Sequence, residues 1–192
     1  MRVIAGRARS LKLKTPEGPG TRPTTDRIKE TLFNIIQREI PGCIFIDLFA
    51  GSGGIGIEAL SRGASHAYFV ENGREAIGCI QDNLSFTKFT DNATLLKQDV
   101  FCALPLIHEK QADIIFIDPP YQAGYEEKVF RALLGQPYVT EETLIILEAE
   151  ADKNMDFLRE MGYDVVREKK YKTNKHVFVK YSGIMPEEKR MK

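Results

Sequence analysis

Four residues, Asp118-Pro119-Pro120-Tyr121, follow directly on the apolar run Ile114-Ile115-Phe116-Ile117. A run that short, rich in β-branched residues and stopped by two prolines, reads as a buried strand ending in a rigid loop. Such a loop offers one carboxylate, one carbonyl that no helix can claim, and one aromatic face. Those groups suit a planar base whose exocyclic amine must be held in plane while it attacks an electrophile. The same residues also suit plain punctuation between a strand and a turn, with Tyr121 only packing. A second motif upstream weighs against that simpler reading.

The second motif begins as the apolar strand Ile44–Leu48, turns through Gly51-Ser52-Gly53, and after Gly56 shows helical apolar spacing at Ile57, Leu60 and Ala64. Glycine permits the tight turn and lets a ligand approach the backbone. Amide N–H groups at the start of the following helix would face that ligand. Gly51, Gly53 and Gly56 satisfy the dinucleotide spacing G-x-G-x-x-G. Asp47, at the end of the strand, argues for a different ligand. A nicotinamide dinucleotide would bring a doubly negative pyrophosphate against this carboxylate. S-adenosylmethionine would bring an α-ammonium and a sulfonium, which the carboxylate attracts, and the loop amides could take its methionine carboxylate. The alternative for Asp47 is an acceptor of hydrogen bonds from loop N–H groups.

Two more acids fall at strand ends. His66–Val70 reads as a strand closed by Glu71, 20 residues after Gly51, the separation at which an acid can accept both ribose hydroxyls. Ala93–Lys97 reads as another strand, followed by Asp99. Asp99 could accept the adenine amino group, with the Val100 amide pairing to the ring; before Val100-Phe101-Cys102 it is equally a helix N-cap. The candidate cofactor set is therefore Asp47, Phe49, Gly51, Ser52, Gly53, Glu71, Asn72, Asp99 and Val100. Three successive strands end in acids and a fourth ends in the Asp-Pro-Pro-Tyr loop. In an open parallel sheet such ends line the ligand crevice.

Asp47-Leu-Phe-Ala-Gly-Ser-Gly, Glu71, Asp99 and Asp118-Pro-Pro-Tyr121 resemble the S-adenosylmethionine-dependent amino-methyltransferases. Arg2-Val-Ile-Ala-Gly6 and Thr21-Arg-Pro-Thr-Thr-Asp-Arg-Ile-Lys-Glu-Thr-Leu-Phe-Asn34 are more specific. They resemble the bacterial 16S rRNA (guanine-N2)-methyltransferases, the family of ribosomal small-subunit methyltransferase D. The resemblance spans residues 2 to 181 without departure in the core motifs; the tail after Tyr181 is outside it. It implies an α/β, Rossmann-like class I methyltransferase fold, with a mainly parallel seven-stranded sheet whose last strand is antiparallel. It implies direct in-line methyl transfer from S-adenosylmethionine to the N2 amine of a specific guanine in 16S rRNA, free or in the assembling small subunit. The catalytic residues would be Asp118, Pro119, Pro120 and Tyr121, with no metal. The alternatives are transfer to another base amine such as adenine N6 of RNA or DNA, an NAD-dependent oxidoreductase, and a non-catalytic RNA-binding protein.

Composition agrees with a soluble globule. At 192 residues, 43% hydrophobic and 28% charged, one domain with a sizeable core is expected. No apolar stretch approaches membrane length, and Met1-Arg2-Val3 does not open a signal peptide. Cys43, Cys79 and Cys102 are isolated, as are His66, His108 and His176, which suggests reduced core thiols in a cytoplasmic protein and no zinc site. A monomer is expected.

Charge is unevenly spread. Net charge is zero overall, but residues 1–29 carry +6, residues 30–166 carry −12 and residues 167–192 carry +6. This asymmetry suits nucleic acid at the basic ends. Arg2, Arg7, Arg9, Lys12, Lys14, Arg22 and Arg27 are the candidate RNA contacts. Residues 1–29 are expected as a basic hairpin and loop draped over a catalytic domain at 30–182, followed by a polar tail at 183–192. Val3–Ala5 and Leu11–Lys14 read as the hairpin strands. Thr24 or Thr25 would cap a first helix with an Ile28, Leu32, Ile35 and Ile36 stripe. Later elements are expected as helices at 74–86, near 101–109, 125–135 and 153–161, a strand at 143–148, and a closing hairpin of Asp164–Tyr171 and His176–Tyr181 around Lys172–Lys175. Alternating strands and helices predict a parallel sheet covered on both faces.

Overall fold

The buried strands form where the apolar runs are densest. The computed structural model describes residues 1–16, 26–120 and 124–183, and its contacts divide into two units, Met1–Ala103 and Leu104 onward.

The first unit contains β1 (Ile44–Leu48), β2 (His66–Val70) and β3 (Ala93–Leu96), with α1 (Asp26–Ile35), α2 (Gly54–Ser61), α3 (Arg74–Thr87) and α4 (Val100–Ala103). β1 and β2 pair in parallel with Leu48 opposite Val70, and β2 and β3 with Val70 opposite Leu96. That register brings the C-terminal ends of all three strands to one edge. The buried stripe of α1 is Lys29, Leu32 and Phe33, with Ile36 just beyond it; Ile28 and Ile35, expected on that stripe, are only half-buried. Thr24 and Thr25 lie outside the described residues.

Lys29 is the surprise in α1. It counts toward the basic N-terminal charge, yet it is fully buried. Its Nζ lies 3.3 Å from Glu58 Oε2 and donates to the Arg2 carbonyl. Burial lowers the Lys29 pKa, and the Glu58 carboxylate opposes that shift. Lys29 is thus paired internally and contributes nothing to the exposed basic surface.

The N-terminal segment is less regular than expected. Among the described residues it carries one antiparallel bridge, Arg2 with Lys12, supported by Val3 N–H to the Leu11 carbonyl at 2.9 Å and Leu13 N–H to the Met1 carbonyl at 3.0 Å. Several of its other backbone donors go to α2 instead of a partner strand. Glu58 accepts from the Ile4 and Ala5 amides at 2.8 and 3.0 Å. Ser61 Oγ accepts from Ala8, and the Ser61 carbonyl from Arg7. Gly6 allows this approach: a Cβ there would sit 1.8 Å from the Ser61 carbonyl oxygen. Val3, Ala8 and Leu13 are buried beneath the segment.

The second unit contains β4 (Ile114–Ile117), α5 (Tyr125–Leu133), β5 (Leu144–Glu150), α6 (Asp156–Glu160), β6 (Tyr163–Lys170) and β7 (Asn174–Tyr181). β4 and β5 are parallel, and β7 is antiparallel to both β5 and β6. Seven strands among the described residues, the last of them antiparallel, match the expected α/β class. Two helices are shorter than expected. The one near 101–109 is a four-residue α4 followed by a 3-10 turn at Leu104–Leu106, because Pro105 has no N–H to continue it. The one at 153–161 begins only at Asp156, whose amide is taken by Asn154 Oδ1. The closing hairpin turns at 171–173, with a register shift between Val165 and Arg167. Of the expected core thiols, only Cys43 is buried; Cys102 is exposed.

Candidate active-site residues

The edge formed by β1, β2 and β3 carries the first group of candidates. Asp47 is buried on β1, and its Oδ2 accepts the Gly56 N–H at 2.8 Å. Burial pushes its carboxyl up to about 7; the Gly56 N–H pulls it down, and the Glu71 charge adds to the rise. No cation among the described residues offsets that shift, as a neighbouring positive charge would. Gly56 is confined too: a Cβ there would sit 2.4 Å from the Phe69 ring. The third glycine therefore allows α2 to press against β2, the packing role the motif assigns it.

The loop between β1 and α2 is held from two sides. Gly53, the residue before α2, has φ +80°, and Phe49 adopts φ +64° although it has a side chain. Such a conformation costs about 1 kcal/mol or more and clusters at functional sites. Glu71 Oε2 accepts the Gly51 N–H at 2.8 Å, while Oε1 accepts the Asn72 and Gly73 amides at 2.9 and 2.7 Å. The expected ribose acceptor thus also ties the end of β2 to the glycine turn. Asn83, which sequence pattern did not single out, donates to the Ser52 carbonyl at 2.9 Å and exchanges two hydrogen bonds with the Lys14 backbone. The one sequence signal for it is a polar residue set within the apolar spacing of Ile80 and Leu84; its burial is known only from the fold.

Asp99 takes up the capping alternative. Its Oδ1 accepts the Phe101 N–H at 2.9 Å, and its carbonyl accepts from Cys102 and Ala103. Val100 beside it is buried and Asn72 is exposed.

The second unit holds the other group. Asp118 is half-buried at the end of β4, Pro119 is buried and Pro120 is exposed; Tyr121 lies outside the described residues. A groove in this unit, lined by both charged and apolar residues including Lys153, Arg159, Glu168, Met155 and Tyr163, contains none of the described candidates.

Of the candidate RNA contacts, Arg2, Arg7, Arg9, Lys12, Lys14 and Arg27 are all exposed; Arg22 lies outside the described residues. Arg2 pairs with Asp26 at 2.7 Å and Lys14 with Asp82 at 2.6 Å. The Arg7 guanidinium lies over the Phe89 ring at 5.0 Å. Surface ion pairs contribute roughly 0–1 kcal/mol, so a phosphate can displace them at little cost.

Known proteins resemble the chain over most of its length. The sequence model of the family described as Conserved hypothetical protein 95 matches residues 1–180. YlbH of Bacillus subtilis (strain 168), provisionally named an rRNA methyltransferase, is 38% identical over 88% of this chain and 92% of its own length. Ribosomal RNA small subunit methyltransferase D of Escherichia coli (strain K12) is 36% identical over 81% of this chain and 77% of its own length. Among solved structures, a hypothetical protein of Thermus thermophilus is similar with a TM-score of 0.79 and 28% identity, covering 94% of this chain and 99% of that one.

Proposed function

The chain belongs to the Conserved hypothetical protein 95 family and to that of ribosomal RNA small subunit methyltransferase D, and from this membership we propose that it transfers a methyl group from S-adenosylmethionine to the N2 amine of a guanine in small-subunit rRNA. The observation that carries the cofactor half of the reading is Asp47: buried, held by one amide and pushed up to about 7. A cationic ligand at the adjoining glycine turn would restore its charge. Asp47 would face the ammonium end, the loop amides the methionine carboxylate, Glu71 the ribose diol, and Asp99 with Val100 the adenine.

When bound, S-adenosylmethionine supplies a methyl on a sulfonium, whose carbon–sulfur bond breaks as the amine nitrogen forms its bond to carbon. The protein's part is alignment. A base amine is a weak nucleophile because its lone pair is delocalised into the ring. Asp118 and the Pro119 carbonyl accept its two hydrogens and turn the lone pair out of conjugation. Asp118 also stabilises the charge that develops on nitrogen before a proton is lost. The two prolines keep the carbonyl out of any helix, so the geometry is set before substrate arrives, and such orientation supplies several kcal/mol. Tyr121 would stack on the base, worth about 1–3 kcal/mol. The base must be extruded or already unpaired. The substrate is the rRNA, free or in the assembling subunit; the protein works as a monomer in the cytoplasm.

The test is tritiated methyl transfer onto naked and assembled small-subunit RNA, followed by nucleoside analysis. N2-methylguanosine is the expected product. Label on adenosine, or none on any RNA, overturns the reading.

A further inference from the structure

Beside Asp118, on the neighbouring strand, stands a carboxylate that the proposed chemistry does not use. β4 and β5 pair with Ile117 opposite Leu147, and Asp118 and Glu148 are the next residue on each chain, Asp118 just past the end of β4 and Glu148 still within β5. Residues two apart on a strand share a face. Glu148 therefore shares the face of Ile146, whose registered partner is Phe116, and Asp118 lies two residues beyond Phe116. His176 on β7 stands opposite Glu148, and its ring meets Phe116 edge to face at 6.0 Å. All of these residues belong to the second unit.

Donors converge on Glu148. Asn174 Nδ2 donates to Oε1 at 2.6 Å. His176 Nε2 lies 3.2 Å from Oε2; a carboxylate only accepts, so Nε2 carries the hydrogen. His176 Nδ1 is then the acceptor for the Tyr171 hydroxyl, 3.1 Å away. Burial, aided by the Glu148 charge, pushes that hydroxyl up to about 12, so it remains a donor. Glu148 is thus gripped on both oxygens yet keeps lone pairs to spare, and 9% of its side chain stays exposed. Asn174 Oδ1, also buried, accepts no hydrogen bond among the described residues. The cluster holds more acceptor capacity than its own donors fill.

The two base amines differ in what lies beside them. Guanine carries an N1–H donor next to its 2-amine. Adenine carries an N1 lone pair next to its 6-amine. A fixed acceptor beside the amine-holding loop attracts the first and repels the second. We propose that Glu148, oriented by His176 and Asn174, accepts the guanine N1–H and so selects guanine over adenine. The inference rests on the role proposed for the Asp-Pro-Pro loop. His176 and Asn174 are positioning residues that fix the two carboxylate oxygens, and Tyr171 fixes His176.

The test uses RNA carrying either guanosine or 2-aminopurine at the methylated position. The second base keeps the 2-amine but presents an N1 lone pair. The unaltered protein is expected to favour guanosine in kcat/KM by about 10- to 100-fold, the scale of losing a hydrogen bond to a charged group. In Glu148→Gln the side-chain amide can donate to N1, so the preference should shrink by about 10-fold or reverse while S-adenosylmethionine affinity stays unchanged. A purely structural Glu148 would lower both rates and leave their ratio alone. Equal use of the two bases by the active, unaltered protein overturns the inference, and that comparison does not depend on the variant folding. A ratio unchanged in a folded Glu148→Gln protein overturns it as well. Absence of any methyl transfer to guanosine RNA overturns the parent reading and this one with it.

Discussion

Asp47 and Gly56 are joined by a single hydrogen bond of 2.8 Å, from the helix amide to the buried carboxylate. One amide does not offset burial, and the carboxyl is pushed from 3.8 up to about 7. An acid whose folded pKa is raised favours the fold when protonated. Its contribution is fully present below about 4 and is lost as pH rises through about 7. The cofactor-free protein should therefore melt lower at pH 8 than at pH 6. S-adenosylmethionine binding should run the other way, tightening as pH rises through 7 and Asp47 ionises. Asp47→Asn should stabilise the free protein at pH 8 by about 1–3 kcal/mol, since the neutral amide avoids much of the burial penalty, and should weaken cofactor binding most above pH 7, the deficit shrinking as pH falls and Asp47 protonates. Melting curves and calorimetry across pH 5.5–8.5 would test this; cofactor affinity that does not change with pH removes Asp47 from the ammonium site.

Glu71→Ala should weaken S-adenosylmethionine binding by about 1.5–3 kcal/mol, the loss of a charged acceptor. The three amides of Gly51, Asn72 and Gly73 lose their acceptor in the same change. The free protein should therefore also melt a few degrees lower. Calorimetry on a protein shown to be folded reads the first effect; undiminished affinity would exclude Glu71 from the ribose site.

Asp118→Ala should leave cofactor affinity intact and reduce turnover about a hundredfold or more, as expected on deleting one oriented stabiliser of developing charge. Single-turnover methyl transfer separates this from slow product release. Near wild-type rates would show that the amine is held by something else.

Replacing Arg7, Arg9 and Lys12 together by Ala should weaken RNA binding and flatten its salt dependence, the slope falling by about 0.7 for each single-strand phosphate no longer neutralised. All three are exposed, and the segment is anchored by its backbone, including the Arg7 N–H to the Ser61 carbonyl. Cofactor affinity and melting temperature should change little. If the slope is unaltered in a folded protein, the segment is architectural and the RNA surface lies elsewhere.

Gly6→Ala tests the anchoring itself. The added methyl would sit 1.8 Å from the Ser61 carbonyl oxygen at a φ of +80°, so the segment must lift from α2. The loss should be about 2–4 kcal/mol, in the range of strain at a special backbone position combined with broken buried hydrogen bonds. Buried Lys29 would lose its Arg2 carbonyl as the segment lifts. A melting temperature within a degree of the unaltered protein would contradict the tight docking.

Local pattern alone determined the strand positions and the acids that close them. β1 and β2 form where the β-branched and aromatic runs lie; Glu71 and Asp118 follow directly where β2 and β4 stop, and Asp47 stands one residue before the end of β1. The glycine spacing was legible for the same reason: a tight turn and a close helix–strand approach are demands of a few consecutive residues. Asp99 was legible as far as its two alternatives, and the capping one is realised. Tertiary structure alone decided which polar residues are buried and with whom. Lys29 reads as a surface charge until Glu58, 29 residues away, is folded beneath it. Asn83 meets Lys14 across 69 residues and His176 meets Glu148 across 28. Periodicity within one element reports the face a residue occupies. It carries no information on which distant donor or acceptor the fold brings to that face, so these partnerships exist only once the helices and strands have packed.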